Sequence, residues 1–173
     1  MASPTDPDIV QLNFVCLGNI CRSPTAEGIM ATLVAEAGLS HRIAVDSSGT
    51  GAWHAGEPAD KRSAREARSR GIELTSRARQ FHPGDFYEFD LILAMDESNL
   101  SNIIDVAPES ALREKAHLLR SFDPNSAGLQ AGQLDVPDPY YGGSNGFADV
   151  FDLIDAACRG LLADLQTRYR LTP

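Results

Sequence analysis

The chain has 173 residues, of which 43% are hydrophobic and 23% charged, which suits one globular domain with one hydrophobic core. The formal net charge is −9 without a long basic run, so nucleic acid or an anionic membrane surface is not expected to be the main partner. The same net charge repels any anionic substrate, and binding one would therefore require a concentrated local site.

Residues 1–10 contain two prolines, two aspartates and no positive charge, which predicts a flexible tail rather than a signal peptide, ahead of one domain over residues 11–173. Hydrophobic spacing and turn residues then predict strand 11–17, helix 23–38, strand 43–47, helix 60–70, strand 91–94, helix 97–106, strand 116–119, a long functional loop 122–146 and helix 147–169. In the first helix, Ser23 is the expected N-cap and Pro24 the first helical residue. Strands that alternate with helices predict an α/β sandwich around a mostly parallel sheet.

The segment with the clearest chemistry is the loop Cys16-Leu17-Gly18-Asn19-Ile20-Cys21-Arg22-Ser23, which follows the first strand and precedes a helix. Successive backbone N–H groups in such a loop, together with a helix N-terminus, can bind a phosphate. Cys16 facing those donors is expected to be a nucleophilic thiolate. Arg22 can bind two phosphoryl oxygens at once, and Ser23 can donate a hydrogen bond to the thiolate.

The chain at this point resembles the low-molecular-weight protein tyrosine phosphatases. The resemblance rests on the run VCLGNICRSPTAE and on three later segments in the same order: DSSGTGAWHAG at 46–56, AMDESN at 94–99 and DPYYGG at 138–143. It implies a flavodoxin-like, three-layer fold with a four-stranded sheet and the phosphate loop after the first strand. It also implies phosphotyrosine hydrolysis through a phosphocysteine, with no metal or cofactor, and with tyrosine-phosphorylated proteins as partners and inorganic phosphate as product.

The resemblance also suggests roles outside the loop. Displacing a tyrosine phenolate, whose pKa is about 10, needs a proton donor, and Asp138 between Pro137 and Pro139 is the best candidate. The matching family positions place Trp53, Tyr140 and Tyr141 along the substrate cleft.

Four further residues have supporting roles by the same resemblance. Ile20 would lie at the mouth of the loop, and Ser47 would hydrogen-bond Asn19. Asp96 is expected either to orient the site or to cap the helix that follows it. Cys21 would form a disulfide with Cys16 that protects the nucleophile from irreversible oxidation.

Several alternatives remain at this stage. A thiol-dependent arsenate reductase would need further cysteines, yet none lies between Cys21 and Cys158. A protein arginine phosphatase of the same fold resembles this chain but carries Thr where Ile20 stands, and the larger Ile favours phosphotyrosine. A non-catalytic phosphoprotein-binding module would lack a catalytic residue, whereas a small-molecule acid phosphatase would share the whole site.

The cysteine and histidine content predicts a cytoplasmic location and a site without a metal. Three cysteines are an odd number and do not suit a secreted disulfide framework, so a reducing cytoplasm is expected. Cys158 is expected in the core of the last helix. The four histidines have no metal-ligand spacing, and no metal is expected.

Overall fold

A computed structural model describes residues 8–142 and 145–173. Its four strands are β1 (Val10–Cys16), β2 (Ile43–Gly49), β3 (Leu91–Ala94) and β4 (Ala116–Leu118). Its α-helices are α1 (Arg22–Glu36), α2 (Lys61–Ser69), α3 (Asp85–Glu88), α4 (Glu97–Asp105) and α5 (Asn145–Arg168). Short 3₁₀ helices follow α4 and interrupt the predicted long loop, at Ser110–Lys115, Leu119–Phe122, Pro124–Ser126 and Ala131–Gln133.

The strands form one sheet in the order β2-β1-β3-β4, and each neighbouring pair is parallel. Side chains of β1 alternate between the two faces of this sheet. Phe14 joins a core formed with α1 and α5, whereas Val15 joins a second core formed with α4. The predicted α/β sandwich with a four-stranded parallel sheet is therefore confirmed. No helix within residues 8–142 and 145–173 is both long and apolar enough to cross a membrane.

Three sequence-based boundaries need correction. Val10, expected in the tail, is buried and pairs with Ile43 at the start of β1, while residues 1–7 lie outside the described part of the chain. Helix α1 begins at Arg22, so Ser23 is not its N-cap; Cys21 holds that position without a side-chain cap. Helix α5 begins at Asn145, two residues before the predicted start.

The topology places the chemistry at one edge of the sheet. Strand β1 is central, and its last residue, Cys16, is in register with Gly49 at the end of β2. Val15 pairs with Ala94 at the end of β3. Because parallel strands all end on the same side, the loops that follow them meet at the carboxyl edge, where α/β sheets bind ligands.

Candidate active site

The loop from Leu17 to Cys21 turns its carbonyl groups outward. The carbonyls of Cys16, Leu17 and Ile20 accept hydrogen bonds from backbone N–H groups of residues 50, 51 and 60. Within the described residues, no acceptor receives a hydrogen bond from the loop's own N–H groups, those of Leu17, Gly18, Asn19, Ile20 and Cys21. A loop whose carbonyls are satisfied and whose N–H groups are free is a binding site for an anion.

Two residues allow the chain to turn this tightly. Asn19 has a φ of 56°, in the left-handed region that Asn tolerates better than most residues. Gly49 lies against the loop, and a Cβ there would be 2.8 Å from the Leu17 carbonyl oxygen. A side chain at position 49 would therefore push the loop away from the sheet.

Cys16 lies at the base of the loop beside a hydroxyl group. Its Sγ is 3.0 Å from Ser23 Oγ, and both residues are buried. The helix start at Arg22, rather than at Ser23, is the reason for this contact. Ser23 sits in the first turn of α1 with its side chain toward the sulfur instead of capping the helix.

The side chain of Asn19 holds the loop from inside. Its Nδ2 donates to Ser23 Oγ at 2.7 Å and to Ser47 Oγ at 3.0 Å, which agrees with the contact predicted for Ser47. Its Oδ1 accepts from the backbone N–H of Arg79 at 2.9 Å. Ser47 in turn donates to Glu27 Oε2, and burial raises the pKa of Glu27 above its ordinary value.

Arg22 is buried beneath the loop with its guanidinium between two carboxylates. Its Nη1 donates to Asp96 Oδ2 at 2.6 Å and to the Val136 carbonyl at 2.9 Å, and its Nη2 lies 3.4 Å from Asp138 Oδ2. Burial lowers the pKa of Arg22, but Cys16, Asp96 and Asp138 raise it, and the net pKa lies above the ordinary value. The guanidinium therefore stays charged beside Cys16.

Asp96 makes two contacts, one with the site and one with the helix that follows it. Its Oδ2 holds Arg22, while its Oδ1 accepts from the backbone N–H of Asn99 and caps α4. The two roles are compatible because a carboxylate has two oxygens, and α4 begins where β3 reaches the carboxyl edge of the sheet.

Asp138 approaches the site from the opposite side. Its side chain is 41% exposed at the edge of the pocket that contains Cys16. Its Oδ1 accepts from the backbone N–H of Tyr140 at 3.0 Å, which fixes the carboxylate relative to the Tyr140 ring.

The pocket over the loop has a volume of about 310 Å³ and is largely aromatic at its walls. Trp53, Tyr140 and Tyr141 all line it, as predicted, and the two tyrosine rings meet edge to face with centroids 4.8 Å apart. Trp53 is 72% exposed, so its indole is available to a ligand. Gly143 of the DPYYGG segment lies outside the described residues.

Sequence reasoning missed several residues of this site. His54 also lines the pocket, and its Nδ1 is 2.8 Å from Glu57 Oε2. Arg62 donates to the Tyr140 carbonyl and lies 5.3 Å from the centre of that ring. His54 follows Trp53 in a quoted segment and could have been suspected. Arg62 and Arg79 carry no sequence signal for the site, because the site residues that they contact, Tyr140 and Asn19, lie 78 and 60 residues away in the chain.

Cys21 and Ile20 lie at the far side of the loop, in a small buried cluster with Ala78 and Phe147. Both also line the pocket. Burial raises the pKa of the Cys21 thiol to about 12, against a weaker opposing effect of a hydrogen bond with Ser63. Cys16, Cys21 and Cys158 are all free thiols, and Cys158 is fully buried in the core as expected.

Across the described ranges 8–142 and 145–173, no group of three or more His, Cys, Asp or Glu side chains could hold a metal ion. The ionisable side chains that line the pocket are instead the thiols of Cys16 and Cys21, the Arg22 guanidinium, the His54 imidazole, the Asp138 carboxyl and two tyrosine hydroxyls.

Comparison with known proteins agrees with this geometry. The model of the low molecular weight phosphotyrosine protein phosphatase family matches residues 11–171. A low molecular weight protein-tyrosine-phosphatase of Streptomyces coelicolor is 47% identical to this chain, and the match covers 87% of this chain and 90% of the relative.

Solved structures are also similar to this chain. A protein tyrosine phosphatase from Entamoeba histolytica superposes with a TM-score of 0.84 at 38% identity, covering 94% of this chain and 99% of the other. A Drosophila arginine phosphatase superposes with a TM-score of 0.81 at 31% identity, covering 90% and 97%. This chain belongs to the low molecular weight phosphotyrosine protein phosphatase family and is a phosphoric monoester hydrolase that acts on phosphotyrosine.

Proposed function

We propose that the enzyme hydrolyses tyrosine-phosphorylated proteins in the cytoplasm through a phosphocysteine formed on Cys16, with Arg22 and Asp138 as the other catalytic residues. The observation that carries this proposal is the position of Cys16 Sγ, 3.0 Å from Ser23 Oγ at the base of a loop with free N–H groups. A phosphoryl group in that loop would have its oxygens on the N–H donors and its phosphorus next to the sulfur.

In the first step the Cys16 thiolate attacks phosphorus. The S–P bond forms as the P–O bond to the tyrosine ring breaks, and Asp138 gives its proton to the departing phenolate oxygen. Arg22 neutralises the charge on the phosphoryl oxygens as they become equatorial in the transition state. Its contact with Asp96 holds the guanidinium in place while the weaker 3.4 Å contact with Asp138 gives way to the substrate.

In the second step water attacks the phosphocysteine. The Asp138 carboxylate accepts a proton from that water, the S–P bond breaks, and inorganic phosphate leaves. Ser23 donates its hydroxyl hydrogen to the sulfur and makes the thiolate a better leaving group. Asn19 and Ser47 keep the Ser23 oxygen in position, since Asn19 Nδ2 donates to both hydroxyls.

The walls of the pocket favour an aryl phosphate. Trp53 and Tyr140 offer aromatic faces above the loop, on which a phosphotyrosine ring can stack. A phosphoserine side chain is too short to reach both the loop and those rings. Ile20, buried against Phe147, leaves less space beside the phosphate than a smaller residue would, which disfavours phosphoarginine.

The nucleophile is tested by Cys16→Ser. We expect turnover of phosphotyrosine to fall below detection, because an alcohol is a far weaker nucleophile than a thiolate, while inorganic phosphate still binds the intact loop. Hydrolysis would be followed by phosphate release, and phosphate binding by calorimetry.

The matched control is Cys158→Ser, which also replaces a buried thiol, but away from the pocket. It should keep the wild-type rate on a panel of phosphotyrosine, phosphoserine and phosphoarginine, with arsenate as a test of reductase activity. Retained activity in Cys16→Ser would contradict the proposed nucleophile, and faster hydrolysis of phosphoarginine than of phosphotyrosine would contradict the proposed substrate.

A further inference from the structure

The basic residues of this acidic protein are concentrated beside the active site. Residues 61–79 contain seven of the 15 Lys and Arg residues and two of the 24 Asp and Glu residues. This segment includes α2 and the stretch that follows it. This segment has a local excess of positive charge, whereas an even distribution of the chain's net charge of −9 would make it negative.

Part of this charge lines a groove of about 410 Å³ that we name the cationic groove. The apolar side chains along it are those of Pro58, Ala59, Ala64 and Leu74. The cationic side chains along it are those of Lys61, Arg65 and Arg68, which are spaced four and three residues apart on one side of α2. Over its seven-residue length this row covers about 10 Å.

The charges in this groove are available to a ligand. Lys61 and Arg65 are exposed, and within the described part of the chain neither of them pairs with a carboxylate. Arg68 does pair with Glu73, but both side chains are about 60% exposed, at 64% and 59%, and such pairs are weak and exchange readily. The neighbouring arginines face elsewhere: Arg62 of α2 pairs with Asp60 and contacts Tyr140, and Arg70, just after α2, pairs with Glu66 and Asp152.

The groove is connected to the catalytic pocket by the short segment from His54 to Pro58. His54 lines the pocket, and Pro58 lines the groove four residues later. The backbone N–H of Asp60 donates to the Ile20 carbonyl at 2.7 Å, which ties the start of α2 to the phosphate loop. The four residues from His54 to Pro58 span at most about 14 Å. An extended substrate chain spans about 3.4 Å per residue, so residues about three to six positions from a bound phosphotyrosine reach the groove.

We infer that the cationic groove is a docking site for an acidic segment of the phosphoprotein substrate, close in sequence to its phosphotyrosine. The proposal rests on the phosphotyrosine hydrolysis proposed above. Carboxylates of the segment pair with Lys61 and Arg65, and the apolar groups between them contact Leu74 and Pro58. The groove offsets the repulsion that the net charge exerts on an anionic substrate and selects substrates by charge complementarity.

The test compares two phosphotyrosine peptides of equal length, one with Glu and one with Gln at positions three to six on both sides of the phosphotyrosine. For the wild-type enzyme we expect a higher kcat/KM on the acidic peptide. In Lys61→Gln/Arg65→Gln the ratio of the two kcat/KM values should fall about fivefold, the size expected for losing two exposed charge contacts. The wild-type ratio should also fall as salt is raised from about 50 to about 300 mM.

The control is Arg113→Gln/Arg170→Gln, which removes the same two charges from exposed positions outside the groove and the pocket. A similar fall of the ratio in this control would mean that net charge alone is responsible and would overturn the proposal. So would a wild-type ratio of one. An unchanged ratio in Lys61→Gln/Arg65→Gln, combined with lost binding to vesicles of anionic lipid, would assign the groove to a membrane.

An aryl phosphate without any peptide separates this inference from the proposed function. If wild type hydrolyses the aryl phosphate but treats the two peptides alike, only the docking inference fails. If wild type fails to hydrolyse the aryl phosphate and both peptides, the proposed function fails, and the docking inference falls with it.

Discussion

The hydroxyl group of Ser23 illustrates how much depends on one buried hydrogen. Its oxygen lies 3.0 Å from Cys16 Sγ, 2.7 Å from Asn19 Nδ2 and 3.2 Å from the Ser48 carbonyl. The Nδ2 group of Asn19 can only donate, so the hydroxyl hydrogen of Ser23 is left for either the sulfur or the Ser48 carbonyl. When Cys16 is a thiolate, the Ser23 hydroxyl donates to the sulfur rather than to the Ser48 carbonyl, because charge-assisted hydrogen bonds are stronger than neutral ones.

The proposed proton donor is tested at the same scale by Asp138→Asn. Asn keeps an acceptor for the Tyr140 N–H but cannot protonate the leaving group. On phosphotyrosine we expect kcat to fall by about 100-fold or more, the usual contribution of general acid catalysis. On a nitrophenyl phosphate, whose leaving group is more acidic, the loss should be much smaller. Equal losses on both substrates, measured by steady-state kinetics, would rule out the general-acid role.

Oxidation gives a prediction for Cys21. Mild peroxide converts the Cys16 thiolate to a sulfenic acid, and attack by Cys21 sulfur then releases water and leaves a disulfide, two hydrogens lighter than the two thiols. Because burial raises the pKa of Cys21 to about 12, its thiolate is scarce near neutral pH, and disulfide closure should become faster as the pH rises.

Mass spectrometry of the peroxide-treated protein would detect a loss of about two daltons that dithiothreitol reverses. Cys21→Ser should instead accumulate irreversibly oxidised Cys16. If wild type and Cys21→Ser are inactivated irreversibly at the same rate, Cys21 does not protect the nucleophile.

At the scale of elements, the phosphate loop is held between β1 and α1, and α1 in turn packs against α5. Helix α5 lies close to the 3₁₀ helix Leu119–Phe122, which leads into the segment that carries Asp138. The approach is closest at Gly160, where a Cβ would lie 1.9 Å from the Phe122 carbonyl oxygen. Backbone atoms on both sides leave no room for a methyl group.

We therefore expect Gly160→Ala to lower the free energy of unfolding by about 3 kcal/mol, since the helix or the 3₁₀ segment must shift. Urea denaturation would measure the change. Gly132→Ala is the matched control, because a Cβ there meets no atom within 4 Å. Gly132→Ala should be neutral or slightly stabilising. If Gly160→Ala changes the free energy of unfolding no more than Gly132→Ala does, the close approach at Gly160 relaxes without cost.

At the scale of the whole molecule, the site combines residues that are remote in sequence. Arg22 and Asp138 are 116 residues apart, and Arg22 and Asp96 are 74 apart. They meet because the strands before them are parallel and end at one edge of the sheet. The uneven distribution of charge is also a property of the whole chain: residues 61–79 carry an excess of basic residues, although the net charge of the protein is −9.

The amino-acid sequence was sufficient for the strands, the main helices and the phosphate loop, because each of these is encoded by consecutive residues. Hydrophobic spacing located β1 to within one residue, and Cys16 and Arg22 lie in one unbroken run with Gly18 and Asn19 between them. The resemblance of that run and of three later segments also predicted the family that the comparisons then established.

Contacts between distant segments could not be predicted in this way, because they depend on how the layers pack. Local signals favoured Ser23 both as an N-cap and as a hydrogen-bond donor to Cys16, and only the start of α1 at Arg22 shows that the N-cap role is absent while the contact with Cys16 forms. The support of Asn19 by Arg79, 60 residues later, comes from an irregular segment without periodicity. The cationic groove likewise forms only because α2 packs beside Leu74 and the segment with Pro58 and Ala59. Folding brings these separated residues together into one surface.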